Sequence, residues 1–419
     1  MANLACVQYS CAIMLFSRIH YGHILGSAAI LAPILGLFTP LMLAPLAVII
    51  ILASVAIDLL RRHEMPNFDW PFLVPFLLLF VWAAITLTWS VDGEGAVRKL
   101  ASLAALGLPC SYVLLRSYQI SEEERRILRP AVCMGAALGL GLAMFEVATK
   151  GFIMMELLGR QPPDGNYSGL LNRAPAVLLL FAWLAAAATA KGGWIFITIG
   201  AVMAYALPSE SALVAYGIAI LVYCGVYAAP KLLRFLLPTA MAATLLIGPS
   251  LFAVIDKPVR QFLGDGNSSI VHRLQIWEFT NKHIQENPLT GLGFNGSRQA
   301  PGGSERYILR NNLGQMIGQG DRLPLHPHNG AMQIWLELGL PGAILIASLA
   351  ALTGYRAISL RKRRDAATAA GLVTTAFLIW LLSFGVWQSW WVSTFVLVFL
   401  LAVPSRRFSR EKKSTSVNS

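Results

Sequence analysis

Charge is what this chain has least of. Asp, Glu, Lys and Arg make up only 13% of its 419 residues, while 56% are hydrophobic. A water-soluble domain carries about 25% charged residues, so an ordinary globule is excluded. Cysteine is also sparse: Cys6, Cys11, Cys110, Cys133 and Cys224 are the five, none in the longest polar stretch and none in a Cys-x-x-Cys pair. That excludes a disulfide scaffold or a zinc cluster. No cleavable leader is evident, because the segment Met1–His23 is mixed and the apolar run after it lacks a small-residue cleavage site. A signal anchor or first span is expected instead. The net charge of +12 is concentrated in short links between apolar runs, which argues against a nucleic-acid groove.

Apolar runs long enough for a membrane span, about 20 residues, fill the rest. They fall at Ile24–Phe38, Leu41–Leu60, Pro71–Trp89, Leu100–Leu115, Ala131–Ala148 and Ala174–Ala190. Trp194–Leu207, Ala212–Ala229, Leu232–Ile255, Leu340–Tyr355, Ala367–Val386 and Trp391–Val403 follow. The fold class predicted is an all-α, polytopic membrane protein of about twelve spans with one long, partly helical outer loop. Residues 1–255 form a first bundle, 256–329 the loop, 330–403 a motif helix with the last spans, and 404–419 a basic tail. Arg61 and Arg62, Arg116 to Arg129, Lys191, Lys231 and Arg234, Arg356 to Arg364, and the tail cations Arg406, Arg407, Arg410, Lys412 and Lys413 occupy alternate links. The positive-inside rule makes that side cytoplasmic and puts the Asp256–Asn329 loop on the opposite face.

The chemistry is concentrated at Leu325-His326-Pro327-His328-Asn329 and the helix that follows. Asn329, Gln333 and Glu337 stand at i, i+4 and i+8 and make one polar stripe, which Leu340-Pro341-Gly342 ends with a bend or break. A polar stripe entering lipid is costly unless it faces a cavity or partner groups. On residue types alone, the two imidazoles fit either a site or an exposed helix start. In the preceding loop, Ile270, Leu274 and Trp277 fit an amphipathic surface helix over Ser269–Gln285, ended by Asn287-Pro288-Leu289-Thr290-Gly291-Leu292-Gly293. Arg273 on that helix, and Arg173 at the outer start of the sixth span, suit either phosphate contact or plain solvation and snorkelling. Gly296–Leu323 reads as a flexible, mildly basic flap.

The run His326-Pro327-His328-Asn329 with Gln333, Glu337-Leu338-Gly339 and Pro341-Gly342 resembles the signature of the bacterial O-antigen ligase and polymerase superfamily. Arg273-x-x-x-Trp277 followed by Pro288-Leu289-Thr290-Gly291-Leu292-Gly293 is similar to a second motif of that group. The family-like region covers roughly residues 195–350. The resemblance implies a polytopic inner-membrane glycosyltransferase of the GT-C type, acting without metal or other cofactor on a glycan carried by undecaprenyl diphosphate. Its acceptor would be lipid A-core or a growing glycan, with membrane lipid around it and no nucleic acid partner. It further implies His328 as the residue that activates the acceptor, His326 as helper, and Arg273 and Arg173 as diphosphate contacts. Asn329, Gln333 and Glu337 would support the motif. One departure stands out: many relatives carry Ser-Arg where this chain has Ser209-Glu210, so Glu210 becomes an auxiliary acid, base or orienting group. Ligase, polymerase and protein O-oligosaccharyltransferase remain open within the superfamily. A secondary transporter is the alternative from another class, although its site would lie near the bilayer midplane rather than in an outer loop.

Overall fold

A computed structural model describes residues 20–61, 69–162, 165–189, 191–263, 268–310 and 316–405. Cys6, Cys11, Arg62 and the tail cations from Arg406 onward lie outside the described residues. The helices are α1 (Tyr21–Phe38), α2 (Leu43–Arg61), α3 (Trp70–Thr86), α4 (Glu94–Ser117), α5 (Glu122–Ala148), α6 (Ala174–Ala188) and α7 (Trp194–Ala206). They continue with α8 (Glu210–Ala228), α9 (Pro230–Leu263), α10 (Ser268–Glu286), α11 (Gly330–Ile358), α12 (Arg363–Leu382) and α13 (Ser389–Ser405).

Every apolar run expected to cross the membrane is a helix. Among the described residues, eight helices are long and apolar enough to span, and four shorter apolar ones correspond to α3, α6, α7 and α13. The protein is therefore a helical multi-pass membrane protein. Helix starts are displaced from the apolar runs because charged first turns extend them outward. Thus α4 begins at Glu94 rather than Leu100, and α5 begins at Glu122 after a Ser121/Glu124 capping box, in which each side chain satisfies the other residue's amide.

Direct contacts sort the helix ends. Arg116 at the end of α4 pairs with Asp58 near the end of α2 at 3.2 Å, and Arg356 near the end of α11 pairs with Asp69 before α3. Arg364 at the start of α12 donates to the carbonyls of Ala186 and Thr189 after α6, and Arg363 reaches Tyr227 near the end of α8. The basic links thus converge at one end of the bundle. At the other end Ser211 of α8 meets Ser383 after α12 at 2.5 Å, and Lys99 of α4 reaches Ser389 of α13 at 3.3 Å. The motif lies at this second end.

Helix α6 is buried along nearly its whole length, from Ala174 to Ala188. A helix that is apolar all round belongs in such an interior position. Around it, Leu41, Ile49, Leu52, Leu59, Tyr205, Leu221 and Phe235 remain exposed, as side chains facing lipid would.

Two expectations need correction. Helix α9 runs on to Leu263, so the boundary drawn at residue 255/256 falls inside a helix. The flap contains a β-hairpin, β1 (Arg306–Arg310) antiparallel to β2 (Met316–Asp321), so the fold is not strictly all-α. The pairing is short and Gly-rich, and it lacks the alternating apolar pattern that marks a strand. The loop also has a core of its own. Leu274, Ile276 and Ile284 of α10 pack with Leu292, Ala300, Leu323, Met332 and Leu336, which fixes the loop to the start of α11.

Candidate active site

The polar stripe of α11 is a structural clamp. Asn329 caps the helix, its Oδ1 accepting the Met332 amide at 3.1 Å, as N-cap residues do. Glu337 is fully buried and receives four donors. These are the Asn295 amide at 2.9 Å, Trp387 Nε1 at 2.6 Å, Gln333 Nε2 at 2.9 Å and the Ser297 hydroxyl. Gln333 in turn accepts the Val386 amide at 2.9 Å. The stripe therefore ties the loop, α11 and the α12–α13 turn together, and satisfies the groups it takes out of solvent.

Glycine makes the approach possible. The Leu292 amide donates to the Leu336 carbonyl at 2.7 Å, and the Leu340 amide to the Pro288 carbonyl at 3.0 Å. A Cβ on Gly339, whose φ is +60°, would sit 2.3 Å from the Leu289 carbonyl oxygen. That residue also supplies the break in α11 (φ 60°, ψ −161°), two positions before Pro341, because only glycine adopts such a conformation readily. Gly291 meets the Glu337 backbone in the same way.

This clamp positions the histidines. Trp277 and Arg273 lie one helical turn apart on α10, hence on one face. Trp277 Nε1 donates to the Pro327 carbonyl at 2.8 Å, and an Arg273 Nη1 donates to the Leu382 carbonyl at 3.4 Å. His328 has a left-handed backbone, φ +55°, a strained conformation that persists only where surroundings enforce it. Here its amide donates to His326 Nδ1 at 3.1 Å, and its ring Nδ1 lies 3.0 Å from the Ser383 carbonyl oxygen. A carbonyl only accepts, so the proton resides on Nδ1 and Nε2 carries the free lone pair. Burial holds the His328 pKa below its ordinary value. The Ser383 carbonyl opposes this, and the charges of Arg273 and His272 reinforce it.

His326 is different. It is 7% exposed, and Nδ1 is occupied by the His328 amide. Nε2 lies 3.2 Å from the Gln388 carboxamide nitrogen. Burial, then the neighbouring His328 and Arg298, push its pKa down to about 3. Its Nδ1 is committed to the neighbouring amide, so this imidazole positions His328.

The other expected residues are arranged around this pair. Glu210, exposed at the first turn of α8, is close enough for its charge to act on Arg273, opposing the downward pull that burial exerts on the guanidinium. Arg173 does not touch the histidines. Its guanidinium lies over the Trp390 ring at 5.6 Å, and Trp390 Nε1 donates to Gln388 Oε1 at 3.1 Å. Arg173 therefore connects to His326 through two side chains.

Several contributors were not singled out from the sequence. The Ser383 carbonyl is backbone and carries no residue-type signal. Gln388 and Trp390 sit in Trp387-Gln388-Ser389-Trp390-Trp391, an aromatic cluster at a helix start that matches the interfacial pattern of membrane proteins. Arg98 and Lys99, with Asp92, Asn295, Arg298 and Leu325, line a cavity of about 480 Å³ beside the motif.

Residues 174–347 match the O-antigen ligase family. Over that segment the chain is similar to the O-antigen ligase superfamily. Its relatives include a provisionally named polysaccharide ligase of Rickettsia felis, 25% identical over 344 residues and 78% of each chain. A Rickettsia conorii protein of the same provisional description is 25% identical over 339 residues, 78% of this chain and 77% of the relative. One from Rickettsia typhi is 22% identical over 410 residues, 90% of this chain and 96% of the relative. The matched segment of the O-antigen ligase family runs from α6 through the kink of α11. It contains Glu210, Arg273, both histidines, and Glu337 with its partners Asn295, Ser297 and Gln333, while Trp387 lies beyond it and Arg173 one residue before it.

Proposed function

We propose that the protein is an O-antigen ligase-like glycosyltransferase. It moves a glycan from undecaprenyl diphosphate to lipid A-core at the outer face of the inner membrane. The observation that carries this reading is His328: a neutral imidazole whose Nδ1–H is held by the Ser383 carbonyl and whose Nε2 lone pair is available beside Arg273. In glycan transfer the acceptor hydroxyl attacks the anomeric carbon, its proton passes to His328 Nε2, and the bond to the diphosphate breaks. A general base must be unprotonated before it can accept the hydroxyl proton, and burial, which lowers the His328 pKa, keeps the imidazole neutral. Negative charge grows on the departing diphosphate. Arg273 stays cationic and presents a fork of donors to phosphate oxygens, with Arg173 at the outer start of α6 as a second contact. Glu210 orients Arg273. The basic links gathered at the opposite end of the bundle support the outer placement.

The test is reconstitution of purified protein with undecaprenyl-diphosphate-linked glycan and lipid A-core, followed by product sizing. Wild type is expected to give one transfer per acceptor, and H328A to lose at least about a hundredfold in rate. Full activity in H328A would remove the base. A ladder of lengthening lipid-linked chains would reassign the protein as a polymerase.

A further inference from the structure

We infer that the cavity between α4 and the motif loop binds an anionic group, phosphoryl or carboxylate, borne by the glycan acceptor. The inference rests on the glycosyltransferase reading above and adds a subsite to it. The cavity is an open cleft of about 480 Å³ lined by Arg98, Lys99, Arg298, Ser102, Gln299 and Asp92, among others. Three cations face one carboxylate, and that carboxylate is already engaged: Asp92 Oδ2 accepts Asn295 Nδ2 at 2.6 Å. Neither Arg98 nor Arg298 forms an ion pair among the described residues, and Lys99 Nζ reaches only the neutral Ser389 hydroxyl at 3.3 Å. Three cations against one carboxylate leave an excess of positive charge, so the arrangement favours an anionic occupant.

Location decides which substrate provides it. Leu325 lines the cavity and precedes His326 directly. Arg298 is near enough to act on the His326 ring. The cavity thus opens on the His326 side of the motif, whereas Arg273 and Glu210 act on the His328 side. In the reading above Arg273 is the diphosphate contact beside His328, and Arg173 is a second one set off from the pair by Trp390 and Gln388. A second cationic site across the imidazole pair suits the partner whose hydroxyl approaches Nε2. The volume admits a charged sugar together with its water shell, which a bare phosphate would leave mostly empty.

The experiment uses the full chain in nanodiscs and three probes. These are a phosphorylated hexasaccharide, its enzymatically dephosphorylated counterpart, and a short-chain prenyl diphosphate, each titrated calorimetrically. A charge-assisted contact contributes about 1.5–3 kcal/mol, which corresponds to at least about tenfold in affinity. Wild type should bind the phosphorylated hexasaccharide at least about tenfold more tightly than the dephosphorylated one. R98Q, K99Q and R298Q should each erode that preference, and R98K and R298K should largely restore it. R234Q, at the opposite end of the bundle, should leave it unchanged. The prenyl diphosphate affinity should not follow these variants.

Equal binding of the two hexasaccharides would overturn the site. Loss of prenyl diphosphate binding in its place would overturn the assignment to the acceptor. Glycan transfer by wild type is assayed in parallel. Transfer without any phosphate preference sinks the subsite and leaves the function standing. A phosphate preference without transfer to any acceptor sinks the function.

Discussion

Replacing Glu337 by alanine is expected to unfold the end of the bundle that carries the motif. Four donors point at the carboxylate: the Asn295 amide, the Ser297 hydroxyl, Gln333 Nε2 and Trp387 Nε1. An orphaned buried donor costs about 1–3 kcal/mol. Even at the low end, four amount to about 4 kcal/mol, a large part of the 5–15 kcal/mol by which folded domains are typically stable. Glutamine at the same position keeps one carbonyl for two donors and can donate to the Ser297 hydroxyl. Only Gln333 Nε2 is then opposed, for about 1–3 kcal/mol. E337A should therefore yield little monodisperse protein in detergent and a strongly lowered melting transition, while E337Q melts slightly below wild type and still transfers glycan. Equal stability of E337A and wild type would refute the clamp. A well-folded E337Q without transfer would show that the carboxylate takes part in the chemistry.

The other predictions concern the same few elements. G339A, whose Cβ would meet the Leu289 carbonyl oxygen at 2.3 Å, should destabilise by at least about 2 kcal/mol; proteolysis of the 287–329 loop at the wild-type rate would contradict this. His326 titrates near pH 3 when folded and near about 6.5 when unfolded. Below about pH 6.5 the unfolded chain therefore binds a proton that the folded one refuses, and stability falls with pH, by about 2 kcal/mol at pH 5. H326N, which can still accept the His328 amide, should flatten the melting profile between pH 7 and 5. Arg273 helps hold the His328 pKa down, so R273Q should move the acid limb of kcat/KM to higher pH, and an unmoved limb would separate the two residues. E210Q should raise the donor KM with little change in the acid limb if Glu210 orients Arg273, whereas a lost limb would make Glu210 the titrating group.

The membrane fold was legible because apolar run length needs no tertiary knowledge. What was not legible came from groups without a residue-type signature. The hairpin of residues 306–321 follows no alternating pattern, since Gly318 and Gly320 carry no side chain to alternate. The tether of His328 is the backbone carbonyl of Ser383, contributed from 55 residues away. Arg98 and Lys99 precede an apolar helix like many span-flanking cations, and only the packing of α4 near the motif loop brings them to a cavity. The i, i+4, i+8 stripe was visible, but its meaning was not. Spacing revealed a polar face and left open whether substrate or protein would meet it.

That last distinction changes how the motif is read. If Asn329, Gln333 and Glu337 lined a substrate cavity, their polar atoms would face open space. Instead, Asn329 closes on its own helix, and Gln333 and Glu337 bind loop and turn groups from three directions. The strained +55° backbone of His328 needs such support, because a free loop would relax it. Trp277 holds the Pro327 carbonyl, His326 holds the His328 amide, and Ser383 holds the ring. Of the two histidines in the motif, one is thereby fixed with a free Nε2 and the other is the means of fixing it. Exchanging their roles would require His326 to release its neighbour's amide, which would free the backbone that aims the base. The asymmetry follows from hydrogen bonding alone, so H326N should retain more activity than H328N, although the two side chains sit only two residues apart.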